Sequence, residues 1–210
     1  MEKGILIVIS GFSGAGKGTI VKKLLKTYDN YALSVSMTTR SPREGEREGI
    51  EYFFTDQESF KREISAGGLI EYAMYCGNYY GTPRGYVEDQ LQAGRDVILE
   101  IEIQGALKIK EQIPECLLLF VTPPSAKELE RRLTDRGTES DDVIRRRLAR
   151  ASEESEGMEA YDYIVVNDKL DECVREINGL VDAARRAPVR RKAFIKEIRD
   201  ELKEFAKGAE

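Results

Sequence analysis

The sequence contains no histidine and no tryptophan, and only three of its 210 residues are cysteine. Without histidine, no side chain has an unperturbed pKa near neutrality, so the chemistry must use a perturbed group or need no general base. The cysteines, Cys76, Cys116 and Cys173, are far apart, odd in number and without CxxC spacing. This pattern argues against a disulfide framework or a zinc site and is typical of a reducing compartment.

A strong charge of either sign is also absent, because 33 Lys and Arg stand against 38 Asp and Glu, for a net charge of −5. No global positive field therefore favours nucleic acid or an anionic membrane, and any anion site must be local. The apolar run at 5–9 is too short for a signal peptide, and no other run approaches a membrane span. We expect a soluble, cytoplasmic protein.

Apolar, branched-rich runs recur along the chain, and each is followed by a stretch with helical spacing. The runs are Ile5 to Ile9, Val97 to Ile103, Leu117 to Val121 and Tyr163 to Val166. The helical stretches are Lys17 to Lys26, Gly105 to Gln112, Ser125 to Thr134, Ser140 to Gly157 and Leu170 to Ala184. This alternation predicts a three-layer α/β fold, with a parallel sheet covered by helices on both faces.

The pattern changes between Ser36 and Tyr86. Short aromatic-rich strands are expected at 51–55 and 69–75, a helix at 57–66, and turns in SPREGEREG. We interpret 36–87 as an inserted small α+β subdomain within a core made of 1–35 and 88–210. The tail from Arg185 has nine basic and five acidic residues, and 188–210 is expected to form a helical extension. Its helix has apolar residues on one side, which favours docking on the core or a partner chain over nucleic-acid binding.

The stretch GFSGAGKGT, from Gly11 to Thr19, lies between a predicted buried strand and an amphipathic helix. Gly11 to Lys17 matches GxxxxGK, in which backbone N–H groups surround phosphates, the helix N-terminus adds positive charge and the lysine contacts the β- and γ-phosphates. The sequence therefore predicts a nucleoside triphosphate site. Gly18 stands where Ser or Thr usually follows the lysine, so direct ligation of Mg²⁺ by a hydroxyl is left open.

Two arginines three residues apart, Arg40 and Arg43, lie in a turn-rich segment with Pro42 and Gly45. Paired guanidiniums suit a phosphate monoester, because each presents a planar fork of donors. A solvated, salt-bridged loop is an equal alternative, given the neighbouring glutamates. The tyrosines of GNYYGTPRG pack in a core or direct their hydroxyls to a ligand.

Two further groups of charged residues need an explanation. Glu100 and Glu102 are two apart on a predicted strand, so we expect them to project from one face, at the carboxyl end of the sheet where a ligand binds. Salt bridging to a nearby helix is the alternative. Between 131 and 150 there are seven arginines and no lysine. Arginine suits spread phosphoryl charge, and DRGTES has the composition of a mobile turn; pairing with nearby acidic residues explains some of the seven.

Together, GFSGAGKGT, SVSMTTRSPREGE, IEYFF, LIEYAMYCGNYYGT, VILEIEIQGA, RGTES and VVND, in this order and spacing, resemble the guanylate kinase family. The resemblance runs from about Ile5 to about Val181. It implies Mg²⁺-dependent transfer of a phosphoryl group from ATP to GMP.

The resemblance also implies roles for individual residues. ATP contacts are Gly11, Ser13, Gly14, Ala15, Gly16, Lys17, Gly18, Thr19 and Asn167. GMP contacts are Ser36, Arg40, Arg43, Glu46, Tyr52, Glu71, Tyr80, Thr82 and Glu102; of these, Ser36, Glu71, Thr82 and Glu102 would read guanine. Catalytic residues are Lys17, Arg40 and the lid arginines Arg132, Arg136 and Arg147, with the lid at about 136–157. Glu100 would lie near Mg²⁺ and its waters.

Some alternatives remain open from the sequence. Asn167 is equally a turn residue or a helix cap before Leu170, and Arg145, Arg146 and Arg150 are assigned to surface salt bridges. A non-catalytic guanylate-kinase-like interaction module is disfavoured, since such modules characteristically lose the loop lysine and lid arginines. A kinase for another nucleoside monophosphate is disfavoured by Ser36, Glu71 and Glu102. We expect ATP and GMP as partners, with no nucleic acid and no membrane; the sequence leaves monomer or homo-oligomer undetermined.

Overall fold

The computed structural model describes residues 3–75, 77–135 and 140–207. Its strands are β1 (Leu6–Gly11), β2 (Tyr31–Leu33), β3 (Met37–Thr38), β4 (Phe53–Phe54), β5 (Leu69–Tyr75), β6 (Asn78–Pro83), β7 (Asp96–Glu100), β8 (Leu117–Thr122) and β9 (Tyr163–Val166). Its α-helices are α1 (Lys17–Thr27), α2 (Gln57–Ser65), α3 (Arg84–Gln92), α4 (Ile103–Gln112), α5 (Ala126–Thr134), α6 (Asp141–Ser155), α7 (Leu170–Arg185) and α8 (Lys192–Lys207).

A five-stranded parallel sheet forms the core, in the order β2-β7-β1-β8-β9. In the central strands Val8 lies opposite Leu99 of β7 and Leu118 of β8. All six residues of β1 are buried. Because side chains alternate between the two faces of a strand, this burial means that both faces of the sheet are covered. The α/β fold class predicted from the sequence is confirmed.

A second sheet of four strands, in the order β4-β3-β6-β5, lies between β2 and α3 in the chain. Strand β3 pairs parallel with β4 and antiparallel with β6, which in turn pairs antiparallel with β5. The register of β5 and β6 shifts between Leu69 and Tyr72. Strand β5 also packs against α4, which places this sheet beside the helix that follows β7.

The structure corrects one prediction and adds elements that the sequence analysis missed. The expected strand at 97–103 ends at Glu100, and Glu102 is the N-cap of α4, with φ −71° and ψ 156°. The carboxylates of Glu100 and Glu102 therefore do not share one face of a strand. Strands β2, β3 and β6 and helix α3 were not predicted. The two strands β2 and β3 are only three and two residues long, too short for a periodic signal.

Helix α8 stands apart from the rest of the fold. None of its residues is buried, and Phe194, Ile198, Leu202 and Phe205 are exposed. This face is therefore not buried on the core, and its docking on a partner chain, the other expectation, stays a prediction. No helix within the described parts of the chain has the length and apolar character needed to cross a bilayer.

Candidate active site

The phosphate loop connects β1 to α1 and lines a pocket of about 300 Å³. The pocket is formed by Phe12, Ser13, Gly14, Gly16, Lys17, Gly18, Thr19, Lys22 and Glu100. Helix α1 begins after Gly16, which has φ 91°, and no described side chain caps its first turn. Backbone N–H groups at an uncapped helix N-terminus are donors for an anion. The loop therefore has the geometry of a phosphate site.

At two positions of the loop, neighbouring atoms lie so close to the backbone that only glycine fits. A Cβ atom on Gly11, whose φ is 146°, would lie 2.0 Å from the carbonyl oxygen of Val121 in β8. A Cβ atom on Gly16 would lie 2.5 Å from the side-chain nitrogen of Asn167. Both positions also have backbone angles that L-residues rarely adopt. The loop conformation thus depends on glycine at both ends.

Lys17 lies across the loop that contains it. Its Nζ donates to the carbonyl oxygens of Gly11 at 2.6 Å and Phe12 at 3.3 Å. The ammonium group is therefore held near the backbone that would surround the phosphates. This arrangement requires only residues that are adjacent in sequence, which is why the motif predicts it.

The Glu100 carboxylate lies at the mouth of the same pocket. A Cβ atom on Gly18 would be 3.8 Å from each of its oxygens, so Gly18 leaves open space beside the carboxylate. Desolvation of the carboxylate by the surrounding protein raises the pKa of Glu100, while the positive charges of Lys17 and Lys22 oppose this shift. The described residues contain no cluster of three acidic, His or Cys side chains that would hold a metal alone. A single carboxylate still fits Mg²⁺, which keeps several waters and takes further oxygens from substrate phosphates.

Asn167 holds the phosphate loop from the end of β9, the edge strand beyond β8. Its buried Nδ2 donates to the carbonyl oxygen of Ala15 at 2.8 Å. The N-cap of α7 is Lys169, so the helix-cap alternative for Asn167 is wrong. The two residues are 152 positions apart, and no local pattern could have identified this contact.

Two of the three arginines predicted for the lid lie within the described residues. Arg132 donates to Glu128 at 2.7 Å and to the carbonyl oxygen of Asn167 at 2.9 Å. Arg147 on α6 donates to the Ser13 hydroxyl at 3.2 Å, which brings it to the phosphate loop. Arg136 lies outside the described residues. Hydrogen bonds from Arg131 and then Arg132 lower the pKa of Glu128 to about 2.

The remaining three arginines make surface contacts, in line with their assignment. Arg145 donates to the carboxylate of Asp142 at 2.6 Å, as expected of a surface pair. Arg146 donates to the backbone oxygen of Asp142. Arg150 donates to Glu154 at 2.8 Å on the same helix, and also to the exposed Glu102 at 2.9 Å, 48 residues earlier in the chain. This arginine therefore contacts a residue of the predicted guanine site.

Arg40 is the centre of a second cationic site. Its Nη2 donates to both carboxylate oxygens of Glu46, at 2.8 and 2.9 Å. Glu46 also accepts from the backbone N–H of Arg43 at 2.8 Å. The hydrogen bond from Arg40, followed by that from the Arg43 backbone, lowers the pKa of Glu46. The side chain of Arg43 is exposed. The predicted salt bridge is thus present in this loop, whereas binding of a phosphate by the two guanidiniums stays a prediction.

Aromatic rings enclose this cationic site. The Arg40 guanidinium lies 5.3 Å from the ring centroid of Tyr52, and the Tyr52 and Tyr80 rings are 6.0 Å apart. The contacts bring together residues from the loop after β3, from the approach to β4 and from β6. The arrangement orients one guanidinium against a carboxylate and two phenol rings.

Glu71 and Thr82 form a polar pair close to the start of α4. The Thr82 hydroxyl donates to Glu71 Oε1 at 2.8 Å. Burial raises the pKa of Glu71, and the bond from Thr82 and the charge of Lys108 act in the opposite direction. A Cβ atom on Gly105 would lie 3.4 Å from Glu71 Oε2. Ser36 lies just before β3, and its carbonyl oxygen accepts from Phe53 N–H at 2.9 Å.

The chain between β7 and α4 connects the two sites. Glu100 lies beside Gly18 of the phosphate loop, and Gly105 lies beside Glu71 of the second sheet. A short stretch of chain therefore borders both the triphosphate site and the predicted guanine site. Such proximity is what a phosphoryl transfer between two bound nucleotides requires.

Several known proteins are similar to this chain over most of its length. A family model described as guanylate kinase matches residues 3–184. Guanylate kinase from Oceanobacillus iheyensis is 51% identical over 180 residues, which cover 86% of this chain and 87% of that protein. Guanylate kinase from Listeria innocua is 48% identical over 182 residues, covering 86% and 89%. The crystal structure of guanylate kinase from Anaplasma phagocytophilum has a TM-score of 0.70 and 37% identity, covering 90% of each chain. The chain belongs to the guanylate kinase family.

Proposed function

We propose that this chain is an ATP:GMP phosphotransferase in which the phosphate loop binds ATP and the second sheet binds GMP. The activity follows from membership of the guanylate kinase family. We assign the core to 1–35 and 88–210, the GMP-binding subdomain to 36–87, the lid to about 136–157 and a helical extension to 188–210. The free thiols of Cys116 and Cys173 support a cytoplasmic location.

The reaction needs no general base in this proposal. An oxygen of the GMP phosphate forms a bond to the γ-phosphorus of ATP, and the bond from that phosphorus to the β,γ-bridging oxygen breaks, giving GDP and ADP. The second pKa of a phosphate monoester is about 6, so this nucleophile is already largely deprotonated at neutral pH. A chain without histidine is therefore chemically sufficient.

Positive charge on the donor side comes from residues that reach the phosphate loop. Lys17 lies within the loop, and Arg147 contacts Ser13. We assign Lys17, Arg132, Arg136 and Arg147 to charge neutralisation across the transferred group, together with Arg40 on the acceptor side. Asn167 positions the loop through Ala15; because its amide nitrogen has two donors, we keep the adenine contact that the resemblance implies.

Mg²⁺ is the cofactor we propose, with Glu100 as the protein group that binds it, most simply through water. Glu100 would hold Mg²⁺ beside the phosphate loop, where the ion would supply positive charge to the phosphates during transfer. The open space that Gly18 leaves beside the Glu100 carboxylate supports this assignment. The Thr19 hydroxyl is the nearest side-chain alternative in the loop.

We assign one group of residues to the phosphate of GMP and another to its base. Arg40, Arg43, Tyr52 and Tyr80 bind the phosphate, and Glu46 orients the two arginines. Glu71 and Glu102 accept hydrogen bonds from guanine N1 and N2. The hydroxyls of Ser36 and Thr82 bind the same edge of the base, which includes O6. Adenine presents the opposite pattern and would leave the partly buried Glu71 carboxylate unpaired, at a cost of about 1–3 kcal/mol.

The observation that carries this proposal is the short chain segment from Glu100 to Gly105, which borders both sites. A coupled assay that offers GMP, AMP, UMP and CMP in turn with ATP and Mg²⁺ tests it. We expect turnover with GMP and at least about a hundredfold lower kcat/KM with AMP, as unpaired acceptors predict. No turnover with any acceptor would indicate an interaction module, and a preference for AMP would indicate a different nucleotide kinase.

A further inference from the structure

Helix α6 carries two arginines that contact opposite substrate sites. Arg147 donates to Ser13 of the phosphate loop at 3.2 Å, and Arg150 donates to Glu102 Oε2 at 2.9 Å. Residues three apart in a helix lie on the same face, so both guanidiniums project from one side of α6. One rigid element therefore contacts the ATP side and the GMP side at the same time.

The position of Glu102 makes it suitable for this contact. Glu102 is the N-cap residue of α4, but its side chain makes no capping hydrogen bond. The carboxylate instead turns to α6, and the side chain remains 71% exposed. A carboxylate has about four lone-pair sites, so an oxygen bound by Arg150 leaves Oε1 for a donor on guanine.

Arg150 is itself held in place within the described structure. Its Nε donates to Glu154 Oε1 at 2.8 Å, and the Glu154 side chain is largely buried. The chain just after α6 also contacts α4, since a Cβ atom on Gly157 would lie 3.3 Å from Ile103 Cγ2. The guanidinium thus joins a fixed carboxylate on α6 to a carboxylate of the predicted guanine site.

We propose that Arg150 is a positioning residue that holds Glu102 for guanine and couples GMP binding to Arg147 at the phosphate loop. The proposal rests on the proposed function, in which Glu102 accepts a hydrogen bond from guanine. A GMP molecule that binds Glu102 stabilises the position of α6 in which Arg147 reaches Ser13. By linkage, GMP then tightens ATP binding by the same factor by which ATP tightens GMP binding.

Substitution of Arg150→Gln tests this coupling, because it removes the guanidinium charge and keeps a long polar side chain on the exposed face of α6. Calorimetry measures the Kd of GMP alone, and the Kd of a non-hydrolysable ATP analogue with and without saturating GMP. We expect Arg150→Gln to weaken GMP binding by about fivefold or more and to reduce the tightening of the analogue by GMP to a similar extent. Arg150→Lys should restore part of both effects.

Arg145→Gln is the matched control, since Arg145 lies on the same helix and pairs with Asp142. It should leave both measurements unchanged. If Arg150 acts through Glu102, Arg150→Gln should reduce GMP affinity much less in the Glu102→Gln variant than it does in the wild type. The inference would be overturned if Arg150→Gln reduced GMP affinity equally in the two backgrounds. It would also be overturned if Arg150→Gln left unchanged either the GMP affinity or the extent to which GMP tightens binding of the analogue. Unchanged GMP affinity in Glu102→Gln itself would instead overturn the proposed guanine site.

Discussion

Glu71 shows how the surroundings of one side chain set its chemistry. The side chain is enclosed between β6 and the start of α4, and it accepts a hydrogen bond from Thr82 at 2.8 Å. Burial disfavours the charged form and raises the pKa of this carboxyl, although Thr82 and Lys108 oppose the shift. Because only the carboxylate accepts two hydrogen bonds from guanine, protonation of Glu71 removes an acceptor from the proposed site.

GMP binding should therefore weaken at mildly acidic pH. Glu71 becomes protonated as pH falls through its raised pKa, and the lost acceptor should raise the KM for GMP by about tenfold. The measurement is a profile of KM for GMP against pH, compared with Glu71→Gln, which has weaker binding but no charge to titrate at this position. The phosphate of GMP titrates identically in both experiments. Parallel profiles would show that Glu71 does not control this pH dependence.

Lys17 is expected to act on transfer and not on binding of the acceptor. Its ammonium lies on the loop carbonyls of Gly11 and Phe12, whereas Arg40 belongs to the loop after β3 in the second sheet. Lys17→Met should lower kcat by about 10²–10³-fold, since one preorganised charge at the transferred group is lost. The Kd of GMP, measured by calorimetry, should remain within about twofold of the wild type. A parallel loss of GMP affinity would contradict this division between the two sites.

The strand–loop–helix unit from β1 to α1 depends on backbone that only glycine accommodates. Gly11 follows the buried strand and approaches β8, and Gly16 places the start of α1 against Asn167. Helix α7 contains a contrasting glycine, Gly179, which is exposed, and a Cβ atom there would meet no neighbouring side chain within 4 Å. The same residue type therefore has opposite consequences in the two elements.

Alanine at Gly11 and Gly179 should change stability in opposite directions. Gly179→Ala should raise the free energy of unfolding by about 0.5–1 kcal/mol, because glycine costs entropy within a helix. Gly11→Ala should lower it by about 2–4 kcal/mol, from overlap with the Val121 carbonyl and an unfavourable φ. Urea denaturation of both variants and the wild type measures these differences. A stabilised Gly11→Ala variant would show that the loop does not approach β8 as described.

Asp96, the first residue of β7, joins distant parts of the core at the amino end of the sheet, opposite the candidate active site. Its buried carboxylate accepts from the Ile5 N–H at 2.8 Å, from Asn30 at 2.8 Å and from Arg185 at 2.6 Å. These bonds link the start of the central sheet to the end of α7. Helix α8 follows beyond this connection and contributes no buried residue. The core is therefore complete before α8 begins.

Removal of residues 192–210 should leave the folded core intact. We expect the midpoint of thermal unfolding to change by less than about 2 °C, because no described residue of the deleted helix is buried in the core. Asp96→Ala provides the comparison, and it should lower stability by about 3–5 kcal/mol, since it removes one partner of a buried ion pair. Scanning calorimetry measures both. A large decrease on truncation would mean that α8 packs on the core or on a second chain in solution.

Much of the fold and part of the candidate site were predictable from the sequence. The four long core strands and most helices were expected from apolar periodicity, and they lie close to the expected positions. The error at 97–103 arose because Ile101 and Ile103 continue the apolar alternation of β7, although the chain bends at Glu102 to begin α4. Strand β6 was missed because GNYYGTP has the composition of a turn, and only its pairing with β3 and β5 makes it a strand.

Local chemistry was determined by the sequence alone. The phosphate loop, its lysine and the Arg40–Glu46 pair each involve residues no more than six positions apart, so neighbouring residue types were enough to specify them. Tertiary structure alone decided that Asn167 holds Ala15, that Arg147 reaches Ser13 and that Arg150 holds Glu102, across 152, 134 and 48 residues. Such contacts depend on how separate elements pack, because a side chain's distant neighbours are set by the whole core and not by its position in the chain.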